Sequence, residues 1–411
     1  MVRRRTVLGA TVGAAGVWAT AACDVGGSGQ VRWGSGTEGG GPAASSSAPP
    51  EATSVAFAPA TGSANVAVTE SVTVTVSNGT LSSVAVTAGK KTVAGTLDGD
   101  QRTWRSTGPL EYGLTYTVDA AVVDGHGTPS KQTSTFTTIK PAAVASVALQ
   151  ANALQGLKNG GTYGVGQVVM VHFSKAVKDR AAAEKVMTVR AEPAVEGRWR
   201  WIDSQNAHYR PPTYWKPGTK VTVQVNALGV DLGGGVYGGA DASTSFTIGQ
   251  SKIAVADGNS HYMQVFIDGQ LVKNMPVSMG KGGTVKGNKG QTINYWTRSG
   301  VHVILEKDQN VRMTSASYGI TDPKDPNFYD ENITFCCRIS YSGEYVHLAD
   351  WNIPQQGRAN TSHGCINVGP DNAKWFYANF GPGDVVDVKG TPRQMALTDG
   401  IGDWTIAWEK W

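Results

Sequence analysis

The chain has 411 residues, long enough for two to four domains. Charged residues are sparse at 17%, glycine is in excess at 52 residues, and 12 tryptophans supply core-forming bulk, so global disorder is excluded. Four cysteines (Cys23, Cys336, Cys337 and Cys365) are too few for a disulfide scaffold and lack the spacing of a zinc site.

Met1 to Cys23 places Arg3, Arg4 and Arg5 ahead of an apolar run that ends in small residues, the order of an export signal. The run is short for a bilayer-spanning helix and rich in Gly and Ala, so a transmembrane anchor is the lesser alternative. Thr20-Ala21-Ala22-Cys23 resembles a bacterial lipobox, which implies cleavage before Cys23 and lipidation of its sulfur. Arg4-Arg5-Thr6-Val7-Leu8 also resembles a twin-arginine signal. Losing residues 1–22 removes three arginines and no acid, so the net charge falls from +4 to +1. A nucleic-acid partner then has no electrostatic support. Residues 23–52 are Gly, Ser, Ala and Pro, and read as a flexible tether that lifts the rest off a membrane.

From residue 53 the pattern is β. Val66, Val68, Val72, Val74 and Val76 alternate with polar or small residues, Asn78-Gly79 is a turn dipeptide, and Leu114, Tyr116 and Val118 alternate again. Gly113 to Val118 is echoed by Gly218 to Val223, and Thr133 to Phe136 by Ser243 to Phe246. The repeat predicts a mainly β protein with tandem Ig-like sandwiches over residues 53–140 and 141–250. Only Asp179 to Val186 reads helical there. Neither sandwich carries a His, Cys or carboxylate cluster, so both read as spacers or weak ligand-binding modules.

A third, catalytic region spans 251–390. Asp268-Gly269 signals a hairpin, and Thr292 to Trp296, Val301 to Leu305, Ile333 to Ile339 and Val385 to Val388 read as strands. Asp371 to Phe380 reads as a short helix, with Asp371 as N-cap and Trp375 and Phe376 on its apolar face. The ending, 391–411, holds Trp404, Trp408 and Trp411. Three exposed tryptophans would form an adhesive patch, so the segment is expected to fold back on the third domain.

The chemistry concentrates in Tyr341 to Gly369, where one thiol, Cys365, lies near two imidazoles, His347 and His363. A thiolate is the nucleophilic form, and an imidazole can take the thiol's proton or lower its pKa. Gly364 lets the backbone adopt unusual φ and aim N–H groups at a developing oxyanion. On chemistry alone, the same pattern fits a buried thiol beside a satisfied imidazole. Metal binding is disfavoured, since His363 and Cys365 are too close for a usual site and no second Cys pair flanks them.

Ser362-His363-Gly364-Cys365-Ile366-Asn367, with His347 upstream across a gap of fifteen residues, resembles the signature of the L,D-transpeptidase (YkuD) family. Two Ig-like domains ahead of such a domain, behind a lipobox, are similar to its lipoprotein subgroup. The resemblance implies a peptidoglycan L,D-transpeptidase that forms 3→3 cross-links through a cysteine acyl-enzyme on a tetrapeptide stem, releasing D-Ala. Cys365 would be the nucleophile, His347 the base, and the Leu348 carbonyl the acceptor that fixes the imidazole tautomer. The N–H groups of Gly364 and Cys365 would hold the oxyanion. Met313 and Tyr318 on a covering flap, Tyr329, Trp351, Ser362, His363 and Asn367 would contact substrate. Arg358 stands where relatives often have His and reads as solvated. No metal or organic cofactor is implied. The implied partners are peptidoglycan stem peptides as donor and acceptor, a membrane through the lipid anchor, and carbapenem-type inhibitors. An L,D-carboxypeptidase using the same acyl-enzyme, or a non-catalytic wall-binding lipoprotein, are the alternatives. Cys336 and Cys337 are adjacent on a probable strand, so their side chains should point to opposite faces and both cannot reach Cys365. They are expected as thiols or as a strained pair.

Overall fold

The computed structural model describes residues 52–411. The signal segment, Cys23 and nearly all of the tether lie outside the described residues. Among the described residues no helix is long and apolar enough to cross a membrane.

Alternating valines build the first sandwich. Ser54–Ala58, Thr73–Ser77, Thr103–Ser106 and Gly95–Leu97 form one sheet; Lys91–Val93, Gly79–Ala88, Thr115–Asp124 and Pro129–Thr137 form the other. Val74, Val76, Val86, Val118 and Phe136 meet between them, and Phe136 stacks on Tyr116 at 5.3 Å. Asn78 turns the chain at φ 56. Val66 and Val68 are buried in this core but precede the strand they were expected to join.

The second sandwich pairs a five-stranded sheet with a four-stranded one. Its helix, Arg180–Val186, starts where Asp179 accepts from the Ala182 N–H at 2.9 Å, and it buries Ala183.

The third region is organised by one nine-stranded sheet. Its order is Gly300–Val303, Val385–Lys389, Lys252–Asp257, Tyr262–Ile267, Gln270–Ser278, Ile366–Val368, Tyr345–Leu348, Asp330–Arg338 and Glu306–Thr314. Asp268 and Gly269, both at positive φ, close the expected hairpin. The helix runs Pro370–Asn379 and buries Phe376, with Trp375 half-buried beside it. Its N-cap is Gly369, not Asp371. Proline fixes φ and needs no N–H partner, so the helix begins at Pro370 and leaves Asp371 in the first turn, beside the positive end of the helix dipole.

The second sandwich is more than a spacer. Gly164 N–H donates to the Pro382 carbonyl at 3.0 Å, Gly166 N–H to Gly383 at 2.9 Å, and Asn152 Nδ2 to Leu305 at 2.8 Å. A Cβ on Gly164 would lie 2.2 Å from the Asp384 nitrogen, so only glycine allows this approach. Val168 and Met170 of the sandwich share an apolar cluster with Val303, Leu305 and Ile401. The sandwich and the third domain are thus joined by a common core.

The C-terminal segment contacts both. Asp399 pairs with Arg298 at 3.0 Å on the third domain. The tryptophans, expected to fold back on the third domain, close on the second sandwich. Arg210, 1% exposed, has its guanidinium 4.8, 5.5 and 4.5 Å from the ring centroids of Trp404, Trp408 and Trp411. The reason is electrostatic. Arg198 and Arg200 also lie over Trp408 and Trp411, and aromatic faces attract such cations.

Candidate active site

Parallel pairing of Tyr345–Leu348 with Ile366–Val368 sets His347 opposite Asn367. Cys365 immediately precedes the second of these strands. Both residues line a cleft of about 340 Å³ with His363, Tyr329, Trp351 and Met313. Thus a histidine and a cysteine from one short stretch of chain reach one cavity through adjacent strands.

The His347 ring is fixed by main chain. Its Nδ1–H donates to the Leu348 carbonyl at 2.7 Å, which leaves Nε2 with a free lone pair. The acceptor is the backbone, so the Leu348 side chain takes no part in the bond. Burial disfavours the imidazolium and lowers the His347 pKa to about 4, against which the Leu348 bond acts weakly. Burial also pushes the Cys365 thiol up to about 12, and the nearby Glu344 adds to this. The resting pair is therefore neutral thiol and neutral imidazole. Sγ–H donates to the Gly343 carbonyl at 3.7 Å, and no hydrogen bond to His347 is present among the described residues.

That protonation state has a measurable consequence. Iodoacetamide should alkylate Cys365 with a rate that keeps rising above pH 9, beyond the titration of a free thiol near ~8.5. A plateau reached by pH 7, followed by mass spectrometry, would contradict a neutral resting pair.

Gly364 adopts φ 135, a region closed to most side chains, and so shapes the turn into Cys365. Its N–H is not free for an oxyanion, as had been expected, because it donates to Ser362 Oγ at 3.1 Å. Ser362 Oγ–H in turn donates to the Cys365 carbonyl at 2.7 Å. Ser362, though it borders the cleft, therefore braces the turn that carries Cys365. Thr297 does so from outside, donating to the Gly364 carbonyl at 2.8 Å.

The other expected contacts divide. Trp351, 54% exposed, lies at the cleft's lip with its ring 6.2 Å from that of His347. Asn367 is buried, and its Oδ1 has no hydrogen-bond partner, leaving an acceptor inside the cleft. His363 packs between Tyr295 and Tyr329 at 4.8 and 5.1 Å. Its Nε2 lies 3.4 Å from Lys281 Nζ, and burial with that ammonium lowers its pKa to about 4. Tyr329 lines the cleft, its phenol raised to about 12 by burial. Tyr318 does not line it. The turn Ser315–Tyr318 tucks its ring behind Tyr329, 6.1 Å away, where burial raises its pKa. Arg358 is exposed and off the cleft.

Cys336, Cys337 and Cys365 carry free thiols. Cys337 lies in the main core, and Cys336 lies on the opposite face in a cluster with Ile333, Tyr345 and Cys365. Burial raises both thiols to about 12. Sequence reasoning missed Glu331, Ile333, Asn352 and Gln355 on the cleft wall. The alternation Tyr329, Glu331, Ile333 was the available signal for two of them.

Comparison with known proteins agrees with this organisation. A bacterial Ig domain family matches residues 63–231, running across both sandwiches, and an L,D-transpeptidase catalytic domain family, YkuD, matches residues 251–388. L,D-transpeptidase 2 of Mycobacterium tuberculosis (strain CDC 1551 / Oshkosh) is 38% identical over 352 residues, 85% of this chain and 82% of that protein. L,D-transpeptidase 5 of Mycobacterium tuberculosis (strain ATCC 25618 / H37Rv) is 32% identical over 369 residues, 88% and 77% respectively. A solved structure of LD transpeptidase LdtMt1 in complex with imipenem matches 59% of this chain and 98% of its own at 30% identity and a TM-score of 0.47.

Proposed function

The chain belongs to the YkuD L,D-transpeptidase family, and we propose that it cross-links peptidoglycan with Cys365 as nucleophile and His347 as base. The observation that carries the assignment is the 2.7 Å bond from His347 Nδ1 to the Leu348 carbonyl, which leaves Nε2 free in the cleft that Cys365 lines.

The donor is a tetrapeptide stem whose third residue is meso-diaminopimelate. As the sulfur attacks that residue's carbonyl carbon, His347 Nε2 takes the thiol proton and the C–S bond forms. The Cys365 N–H is the oxyanion donor in this reading, since the Gly364 N–H is held by Ser362. The C–N bond to D-Ala then breaks, and His347 returns the proton to the leaving amine. Asn367 Oδ1 accepts an N–H of the stem. An amine of a neighbouring stem resolves the thioester into a 3→3 cross-link. Carbapenems acylate the same sulfur through their strained ring.

Incubation with purified tetrapeptide stem tests the reading. Dimers and free D-Ala are expected, with a carbapenem adduct of 1:1 stoichiometry on wild type and none on Cys365→Ala. Tripeptide alone would make the protein an L,D-carboxypeptidase. Absence of any adduct on wild type would leave only a wall-binding role.

Export and lipidation at Cys23 complete the reading, supported by the Thr20 to Cys23 sequence. Cys23→Ala should move the protein out of the membrane fraction; unchanged partitioning would sink the anchor.

A further inference from the structure

The cleft is built almost wholly of uncharged groups. His347 and His363 are neutral at pH 7, and Cys365 is a protonated thiol. Among the described residues that line it, Glu331 alone carries a carboxyl group.

Strand register explains how it comes to be there. Glu331 lies opposite Met313 in the antiparallel pair of Asp330–Arg338 with Glu306–Thr314, and both line the cleft. Successive side chains alternate, so Tyr329, Glu331 and Ile333 share the cleft face. Asp330 turns the other way into a two-bond ion pair with Arg312, at 2.8 and 2.7 Å. Glu331, by contrast, is exposed and makes no ion pair or hydrogen bond to a described residue. Two neighbouring carboxylates thus differ: one is neutralised on the outer face, and the other is left free at the site.

We infer that Glu331 is the acceptor-recognition residue, whose carboxylate receives the ammonium group of the amine that resolves the thioester. The inference rests on the transpeptidase reading above. A primary amine with a pKa near ~10 reaches the cleft as an ammonium, and a carboxylate at the rim raises its local concentration. Water, the competing nucleophile, is uncharged and gains nothing from Glu331. The residue therefore biases the acyl-enzyme toward cross-linking and away from hydrolysis. The ammonium gives up one proton to solvent before it reacts. Its nitrogen then attacks the thioester carbonyl, the C–N bond forms and the C–S bond breaks. The second amine proton passes through His347 Nε2 to the departing Cys365 sulfur, which restores the thiol.

The test compares wild type, Glu331→Gln and Glu331→Lys as full chains. Three quantities are read: the rate of carbapenem adduct formation, the rate of the first-turnover burst of D-Ala from the tetrapeptide stem, and the dimer-to-tripeptide ratio against acceptor concentration. The first two should stay within about twofold of wild type, as a rim charge outside the reacting atoms allows. The acceptor concentration for half-maximal dimer should rise roughly three- to tenfold in Glu331→Gln and further in Glu331→Lys, with salt narrowing the gap. An unchanged ratio in both variants would overturn the inference. So would D-Ala release falling in parallel with dimer formation, which would make Glu331 a donor contact. Wild type that releases no D-Ala would overturn the transpeptidase reading itself, and that outcome is visible without either variant.

Discussion

Replacing His347 with Ala should slow acylation of Cys365 by roughly a hundred- to ten-thousandfold, the range for loss of a positioned general base. The large effect follows from the protonation state of the resting site. With Cys365 pushed up to about 12, almost no thiolate exists at neutral pH, so attack depends on a base that removes the proton during the reaction. His347 is prepared for that role: Nδ1–H is tied to Leu348 and Nε2 faces the cleft as an acceptor. Carbapenem adduct formation by intact mass measures the loss directly, with Cys365→Ala as the zero. Acylation of His347→Ala within tenfold of wild type would show that another group takes the proton. The same variant should change the acid stability of the fold. The His347 pKa is lowered in the fold to about 4, so between there and the ordinary ~6.5 the unfolded chain binds more protons. The stability contributed by His347 is therefore lost as the pH drops through that window; His363 acts in the same direction, and Asp384, raised to about 7 by burial, acts against them. His347→Ala removes the His347 contribution, which should make the melting temperature fall less steeply with acid across that window.

Arg210→Ala should cost about 3 kcal/mol of stability, a large loss for one residue. The guanidinium is buried among three indole rings and donates to the Ile406 carbonyl at 2.6 Å and the Pro211 carbonyl at 3.1 Å. Alanine leaves a cavity and abolishes three cation–π contacts, each worth roughly 0.5–2 kcal/mol. It also removes one of the three arginines that hold the segment after Ile406 to the second sandwich, leaving Arg198 and Arg200 over Trp408 and Trp411. Thermal melting and carboxypeptidase digestion should report together, with a lower midpoint and faster trimming from Trp411. A midpoint unchanged from wild type would mean that the tryptophans hold the tail without Arg210. Arg210→Lys should fall between, because an ammonium cannot stack across several rings as a planar guanidinium does.

Much of the site was legible because its central parts are local. His347 and Cys365 lie within one short stretch, and the groups that orient them, the Leu348 carbonyl and the backbone around Gly364, follow from chain position. Tyr318 was not legible in the same way. Its facing depends on a turn closed by Gly319 at φ 100, a tertiary arrangement that side-chain type does not encode. Glu331 could be assigned to the face of Tyr329 by alternation, but whether that face met the nucleophile required the pairing register of Glu306–Thr314. In the fold, turn dipeptides and β alternation marked the sandwiches. The approach of Gly164 to Gly383 and Asp384 was hidden, since a glycine in a loop looks the same whether or not another backbone crosses it. The tryptophan tail was readable as packed against the body but not as shared, because its cationic partners, Arg198, Arg200 and Arg210, belong to another domain.

The neutral thiol at Cys365 bears on how long such an enzyme survives. Peroxide attacks the thiolate, and oxidation beyond the sulfenic acid is irreversible for most proteins. In the proposed reaction, a sulfur that stays protonated until an acyl donor and His347 act on it offers little thiolate to oxidants between turnovers. Cys336, the neighbouring sulfur, is likewise raised by burial and adds no reactive partner. The cost is a slower intrinsic nucleophile, and the gain is a sulfur that resists oxidation between turnovers.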